Sequence, residues 1–291
     1  MLEHLIDAIA MTFLMQCLKA PSRLVLHPLQ LLGLGLVGLH FLLIARITGN
    51  LDQGVLSLLF WGAIISQTGR SLPLQPPPDR YARGLGGIII GLLLAKATHL
   101  QATETAFVRL FPLLAFSGWS LLVRGWHQAS WGRIWALVVA LSVPPRAVPS
   151  FLESTWGYPI RVITAACAAF GLHYIGFDVV QQGSLIQLPN GAVEVEFACT
   201  GAALLGLLLQ ISVLMAAMTE WQRLPGLVGR SVAIALFLSI IRVALMAAVV
   251  DQPATFQFWH GSDGGQIVTA IALVGLNLGS SYAARAYRST E

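Results

Sequence analysis

Apolar runs separated by short polar joints fill almost the whole chain. They cover roughly 27–46, 52–68, 85–99, 106–123, 132–146, 157–177, 199–219, 226–250 and 264–284. A helix needs ~20 apolar residues to cross a bilayer. Several early runs are shorter than that, so the pattern predicts about eight transmembrane helices. Ahead of them, Leu2, Leu5, Ile6, Ile9, Phe13 and Leu14 recur at helical spacing, which predicts an interfacial amphipathic helix or a weak first span. The stretch Ser71–Arg83 holds Pro73, Pro76, Pro77 and Pro78. It reads as a non-helical connection, because proline lacks the amide that a helix interior uses.

The hydrophobic period changes once. Leu185–Leu188 and Val193–Phe197 flank Pro189-Asn190-Gly191, and the second run alternates apolar with acidic residues. A period of two around an Asn-Gly pair predicts a β-hairpin. Its second strand leads into Ala198-Cys199-Thr200-Gly201 and the apolar run Ala202–Met218, which would set Cys199 at a helix N-terminus. The expected fold is an all-α polytopic membrane protein with a short extracytoplasmic β-hairpin before the helix that Cys199 opens. No polar stretch is long enough for a second soluble domain, so one integral membrane domain is expected over residues 1–291.

Composition narrows the function classes. Only 10% of the residues are charged and mean hydropathy is +0.74, which excludes a water-soluble domain of this size. The net charge of +4 therefore points to arginines lying against anionic lipid rather than to nucleic acid. Loops 178–198 and 251–263 carry Asp178, Glu194, Glu196, Asp251 and Asp263 and no Lys or Arg. The turn near 220–230 carries Arg223 and Arg230, and the tail carries Arg285 and Arg288. The positive-inside rule then places turn and tail in the cytoplasm and the acidic loops outside, in a multi-pass protein of the plasma membrane. In the N-terminal half, arginines fall in nearly every loop and decide nothing. The three cysteines, Cys17, Cys167 and Cys199, are odd in number and widely spaced. They suggest neither a disulfide framework nor a metal site, and no cofactor is expected.

Arg242 carries the clearest chemical signal. It lies inside the apolar run Ser231–Val250, where a full charge is costly and marks a site facing protein interior. Cys199 in the first turn of a helix would meet unpaired amides and the positive end of the dipole, both of which favour thiolate. Those amides, with Thr200 and Gly201 beside them, could also hold an oxyanion, and glycine admits a close substrate backbone. His260, in Phe258-Trp259-His260-Gly261, is a general acid and base if it reaches that thiol. Each residue also has a bland reading: a small packing cysteine, an arginine holding carbonyls, an interfacial histidine. Glu194 and Glu196 read most simply as solvated strand positions, though either could bind a basic substrate segment. Cys17 and Cys167 keep the packing reading, and His4, His27, His40, His99, His127 and His173 have no comparable neighbours in sequence.

Taken together, Val193-Glu194-Val195-Glu196-Phe197-Ala198-Cys199-Thr200-Gly201, Ser239-Ile240-Ile241-Arg242 and Phe258-Trp259-His260 resemble the exosortase/archaeosortase family over roughly 157–284, on its bacterial branch. Two positions depart from the family pattern: Thr200 stands where serine is common, and Ser239 where asparagine is frequent. The resemblance implies Cys199 as nucleophile, Arg242 as oxyanion or thiolate stabiliser and His260 as acid and base. It further implies cleavage of C-terminal PEP-CTERM-like sorting signals through a thioacyl enzyme. The cut end would pass to an acceptor that could be lipid-linked or polysaccharide-linked. A non-enzymatic permease or scaffold using Arg242 as an anion or lipid site is the main alternative. Serine, zinc and aspartyl intramembrane proteases lack their motifs in this chain.

Overall fold

The computed structural model describes residues 28–49, 51–71, 78–101, 103–126, 131–144 and 146–288. The expected N-terminal helix, Cys17, His4, His27, His127, Pro73, Pro76 and Pro77 lie outside the described residues. The expected connection is shorter than Ser71–Arg83, because a helix already begins at Arg80 with Asp79 before it. The chain reads as one domain in sequence, whereas its contacts divide into two compact units: 1–144 with 213–221, and 145–212 with 222–291.

The first unit contains α1 (Pro28–Leu43, continued by a π-turn over Ile44–Thr48), α2 (Leu51–Ser71), α3 (Arg80–Thr98), α4 (Thr105–Arg124) and α5 (Gly132–Ser142). Small residues let α3 and α4 meet backbone to backbone. A Cβ on Gly86 would sit 2.7 Å from the Gly118 carbonyl oxygen, the kind of close approach that membrane helices use in place of a hydrophobic drive. His40 ties three helices together. Its Nδ1 accepts from Trp61 Nε1 at 3.0 Å, its Nε2 faces the Val108 carbonyl at 3.2 Å, and its ring stacks on Phe111.

The second unit begins with α6 (Ala147–Tyr174), followed by β1 (Val180–Gln182), β2 (Leu185–Leu188) and β3 (Gly191–Glu194). A 3-10 turn over Phe197–Cys199 leads to α7 (Ala202–Met218), whose last residues belong to the first unit. Then come α8 (Leu224–Ala248), α9 (Pro253–His260) and α10 (Ser262–Arg288). The strands form an antiparallel sheet in the order β1-β2-β3, with Ile186 opposite Val193. The sheet has one strand more than the expected hairpin. The β2–β3 link is Pro189-Asn190, and Gly191 already pairs with Leu188.

The alternation Val193, Val195, Phe197 puts those side chains inside, while Glu194, Glu196 and Ala198 face out. Val193 and Val195 meet a small-residue face of α6 (Ala165, Ala168, Ala169, Leu172) and Val243, Met246 and Ala247 of α8, and Cys199 belongs to this cluster. Lower on α8, Ser231 Oγ lies 2.8 Å from Ser212 Oγ of α7, so neither hydroxyl is left unpaired among apolar side chains.

Among the described residues, four helices are long and apolar enough to cross a membrane: Pro28–Thr48, Arg80–Thr98, Thr105–Arg124 and Trp221–Ala248. A fifth follows if α5 and α6 count as one broken span. That is fewer than the eight expected. Ala202–Met218 is a shorter apolar helix of 17 residues.

Candidate active site

Cys199 is not in the first turn of a helix, as its neighbours in sequence suggest. It ends the 3-10 turn Phe197–Cys199, three residues ahead of α7. Within this turn the Cys199 amide donates to the Glu196 carbonyl at 3.0 Å and the Thr200 amide to that of Phe197 at 3.1 Å. Those two amides are therefore already engaged, and the Thr200 hydroxyl closes the turn on the Phe197 carbonyl at 2.7 Å.

Cys199 is 7% exposed, and this burial pushes its pKa up. The positive charge of Arg242 pulls the other way, and Glu196 adds to the rise. The expected low-pKa thiolate of the free protein is thus corrected: desolvation outweighs the helix end, because the sulfur sits in an apolar cluster and not over the open amides of α7.

Gly201 takes φ +76, where a side chain is strained. A Cβ there would lie 2.7 Å from the Ala235 carbonyl oxygen and 2.9 Å from the side chain of Ser239. The close approach that requires glycine is therefore to α8. Ser239 is the small partner of that contact, and its hydroxyl donates to the Leu236 carbonyl at 2.9 Å.

Arg242 uses its planar fork on the end of a neighbouring helix. Nε donates to the Trp259 carbonyl at 2.8 Å, and Nη2 donates to the carbonyls of His260 at 3.0 Å and Gly261 at 3.4 Å. The guanidinium thus caps the last carbonyls of α9, where a cation meets the negative end of the helix dipole. His260 is not in a loop: it is the last residue of α9. Its ring is exposed and stacks on Phe256 one turn earlier, with centroids 5.7 Å apart.

Cys199 and His260 line the same cavity of about 280 Å³, together with Glu194, Glu196, Met246 and Phe256. Arg242 adjoins Val243, another lining residue, and its charge acts on the Cys199 thiol. Cys167, by contrast, lies exposed on α6. Sequence reasoning missed Met246 and Phe256. Phe256 becomes legible once 253–260 is read as a helix, because it stands four residues before His260.

A buried thiol, an imidazole and a guanidinium are thus gathered in one unit of a helical membrane protein. The family described as transmembrane exosortase matches residues 46–277, most of the chain, and the chain belongs to that family. No curated protein and no solved structure matches it. Membership makes it a membrane protein concerned with processing sorting signals.

Proposed function

We propose that the protein is a cysteine transpeptidase that cuts C-terminal sorting signals at the outer face of the membrane. The observation that carries this reading is the cavity shared by Cys199 and His260, with the Arg242 charge acting on the thiol.

Burial holds the thiol protonated in the free protein, so activation requires a base. His260 takes the Cys199 proton as sulfur attacks the scissile carbonyl, and the resulting oxyanion is stabilised by the positive field of Arg242. The C–N bond breaks as the imidazolium gives its proton to the leaving amine. This leaves a thioester on Cys199, and His260 then deprotonates the incoming acceptor, which displaces sulfur. A substrate anchored by its own membrane helix would present its flanking motif at the level of Cys199, which supplies positioning without a deep cleft. The acceptor class fitting this step is any amine or hydroxyl nucleophile, lipid-linked or polysaccharide-linked acceptors included.

Co-expression with a reporter carrying a tripartite C-terminal tail tests the reading. Wild type should process the reporter and Cys199→Ala should not; equal processing by both would remove the proposal.

A further inference from the structure

The strand order β1-β2-β3 leaves β3 with a neighbour on one side only. Just beyond its end, the Val195 amide donates to the Ser184 carbonyl of the adjoining strand at 2.9 Å. Bonded pairs alternate along an antiparallel ladder, so Val195, Val193 and Gly191 turn their amides and carbonyls toward β2. Ala192 and Glu194 turn theirs the other way. Among the described residues no backbone bond is made on that side.

The bare edge runs along the cavity that holds Cys199 and His260. Successive side chains of a strand point to opposite faces, so a cavity beneath one face would touch every second residue. This one is lined by all five from Ala192 to Glu196 and by none of β2. Such an edge is a template for another strand. A second copy would set its own Glu194 and Glu196 against this pair, and like charges brought opposite each other weaken a ladder. A substrate must in any case bring its scissile carbonyl to Cys199, on the wall of this same cavity.

We propose that the substrate segment beside the scissile bond docks as a fourth strand on the open edge of β3. The proposal rests on the transpeptidase reading of Cys199. Ala192 and Glu194 bond the segment through its main chain, which holds it extended whatever its side chains. Alternate side chains then turn toward Met246 and Phe256 of the cavity wall, and the others toward solvent beside the exposed Glu194. The pairing also keeps the scissile bond out of the substrate's membrane helix, where each carbonyl is engaged by an amide one turn on.

The test uses full-length Cys199→Ala protein in phosphatidylcholine nanodiscs and fluorescent peptides spanning the reporter's cleavage segment, each N-methylated at one amide. A strand bonded along one side should lose about tenfold in affinity at every second position and little in between. Hydrogen exchange at the Ala192 and Glu194 amides should slow when the unmethylated peptide binds. Glu194→Pro deletes an edge N–H and leaves the β2 ladder whole. It should bind that peptide about tenfold more weakly than Glu194→Gln, which keeps the amide, at an unchanged unfolding temperature. The methylation scan alters nothing in the sheet and decides alone if the proline variant unfolds. Methylation effects without alternation, equal binding by the two variants, or no binding of any peptide would overturn the docked strand. Slow exchange at both amides before peptide is added would overturn it too, by showing the edge covered by another segment or a second copy. Alternation together with a wild type that leaves the reporter uncut would refute the transpeptidase reading and leave the docked strand standing.

Discussion

In the N-terminal unit, the buried histidine is closed off: both nitrogens of His40 face a partner, and Phe111 covers its ring. In the unit that holds Cys199, the corresponding groups stay open. His260 has an exposed ring on a cavity wall, and Cys199 faces the same cavity from an apolar cluster. Arg242 is committed through its donors but still projects charge onto the thiol. Reactive side chain types occur in both units, and satisfaction separates them. A histidine whose hydrogen bonds are complete supports a structure, whereas one left at a cavity edge beside a thiol remains available for proton transfer.

The largest expected effect falls on the open unit. Cys199→Ser should lower reporter processing by about 10³-fold or more, while its thermal unfolding in detergent stays near wild type. A collapse of unfolding temperature would instead make Cys199 a packing residue.

Arg242→Lys comes next, at about 10²-fold in processing. A single ammonium cannot span three carbonyls, and α9 would lose the cap that positions His260. Equal processing by the lysine variant would show that charge alone suffices.

Two changes compare the units in stability. Gly201→Ala should cost about 3 kcal/mol, from a left-handed φ and a Cβ driven onto the Ala235 carbonyl. His40→Leu should cost about 2 kcal/mol by leaving the Trp61 N–H and the Val108 carbonyl unpaired, with Cys199 alkylation unchanged. Denaturant midpoints measure both. A His40→Leu variant that alters Cys199 reactivity would break the distinction between closed and open units.

The smallest effect is electrostatic. Because burial raises the Cys199 pKa, alkylation of the free protein should keep accelerating above pH ~9.5, by which an ordinary thiol with a pKa of ~8.5 has levelled off. Glu196→Gln removes a charge that raises this pKa, so alkylation at pH 7.5 should quicken about twofold. Arg242→Gln removes a charge that lowers it, so alkylation should slow. Opposite signs in the two variants would contradict the placement of both residues.

Much of this arrangement is legible in the sequence. The alternation Val193-Glu194-Val195-Glu196-Phe197 announces the exposed acids, although the strand it suggests ends at Glu194 and Phe197 already opens the 3-10 turn, and the isolated Arg242 announces a polar task within an apolar run. Three features are not legible, each for a physical reason. The position of Cys199 outside α7 depends on Gly201 adopting a left-handed φ, which a neighbouring helix imposes. The helix over 253–260 is short, and its C-terminal carbonyls are held by Arg242 from a distant segment. The number of spans is not legible either, because an apolar run shows that a segment is buried without showing what buries it. Ala202–Met218 is uniformly apolar yet too short to cross alone.

The decisive measurement is the intact mass of the protein after brief exposure to the reporter. The thioacyl mechanism predicts a covalent adduct of the amino-terminal substrate fragment on the peptide containing Cys199, removed by hydroxylamine and missing in Cys199→Ala. Efficient processing with no adduct at any quench time, or an adduct on another residue, would contradict it.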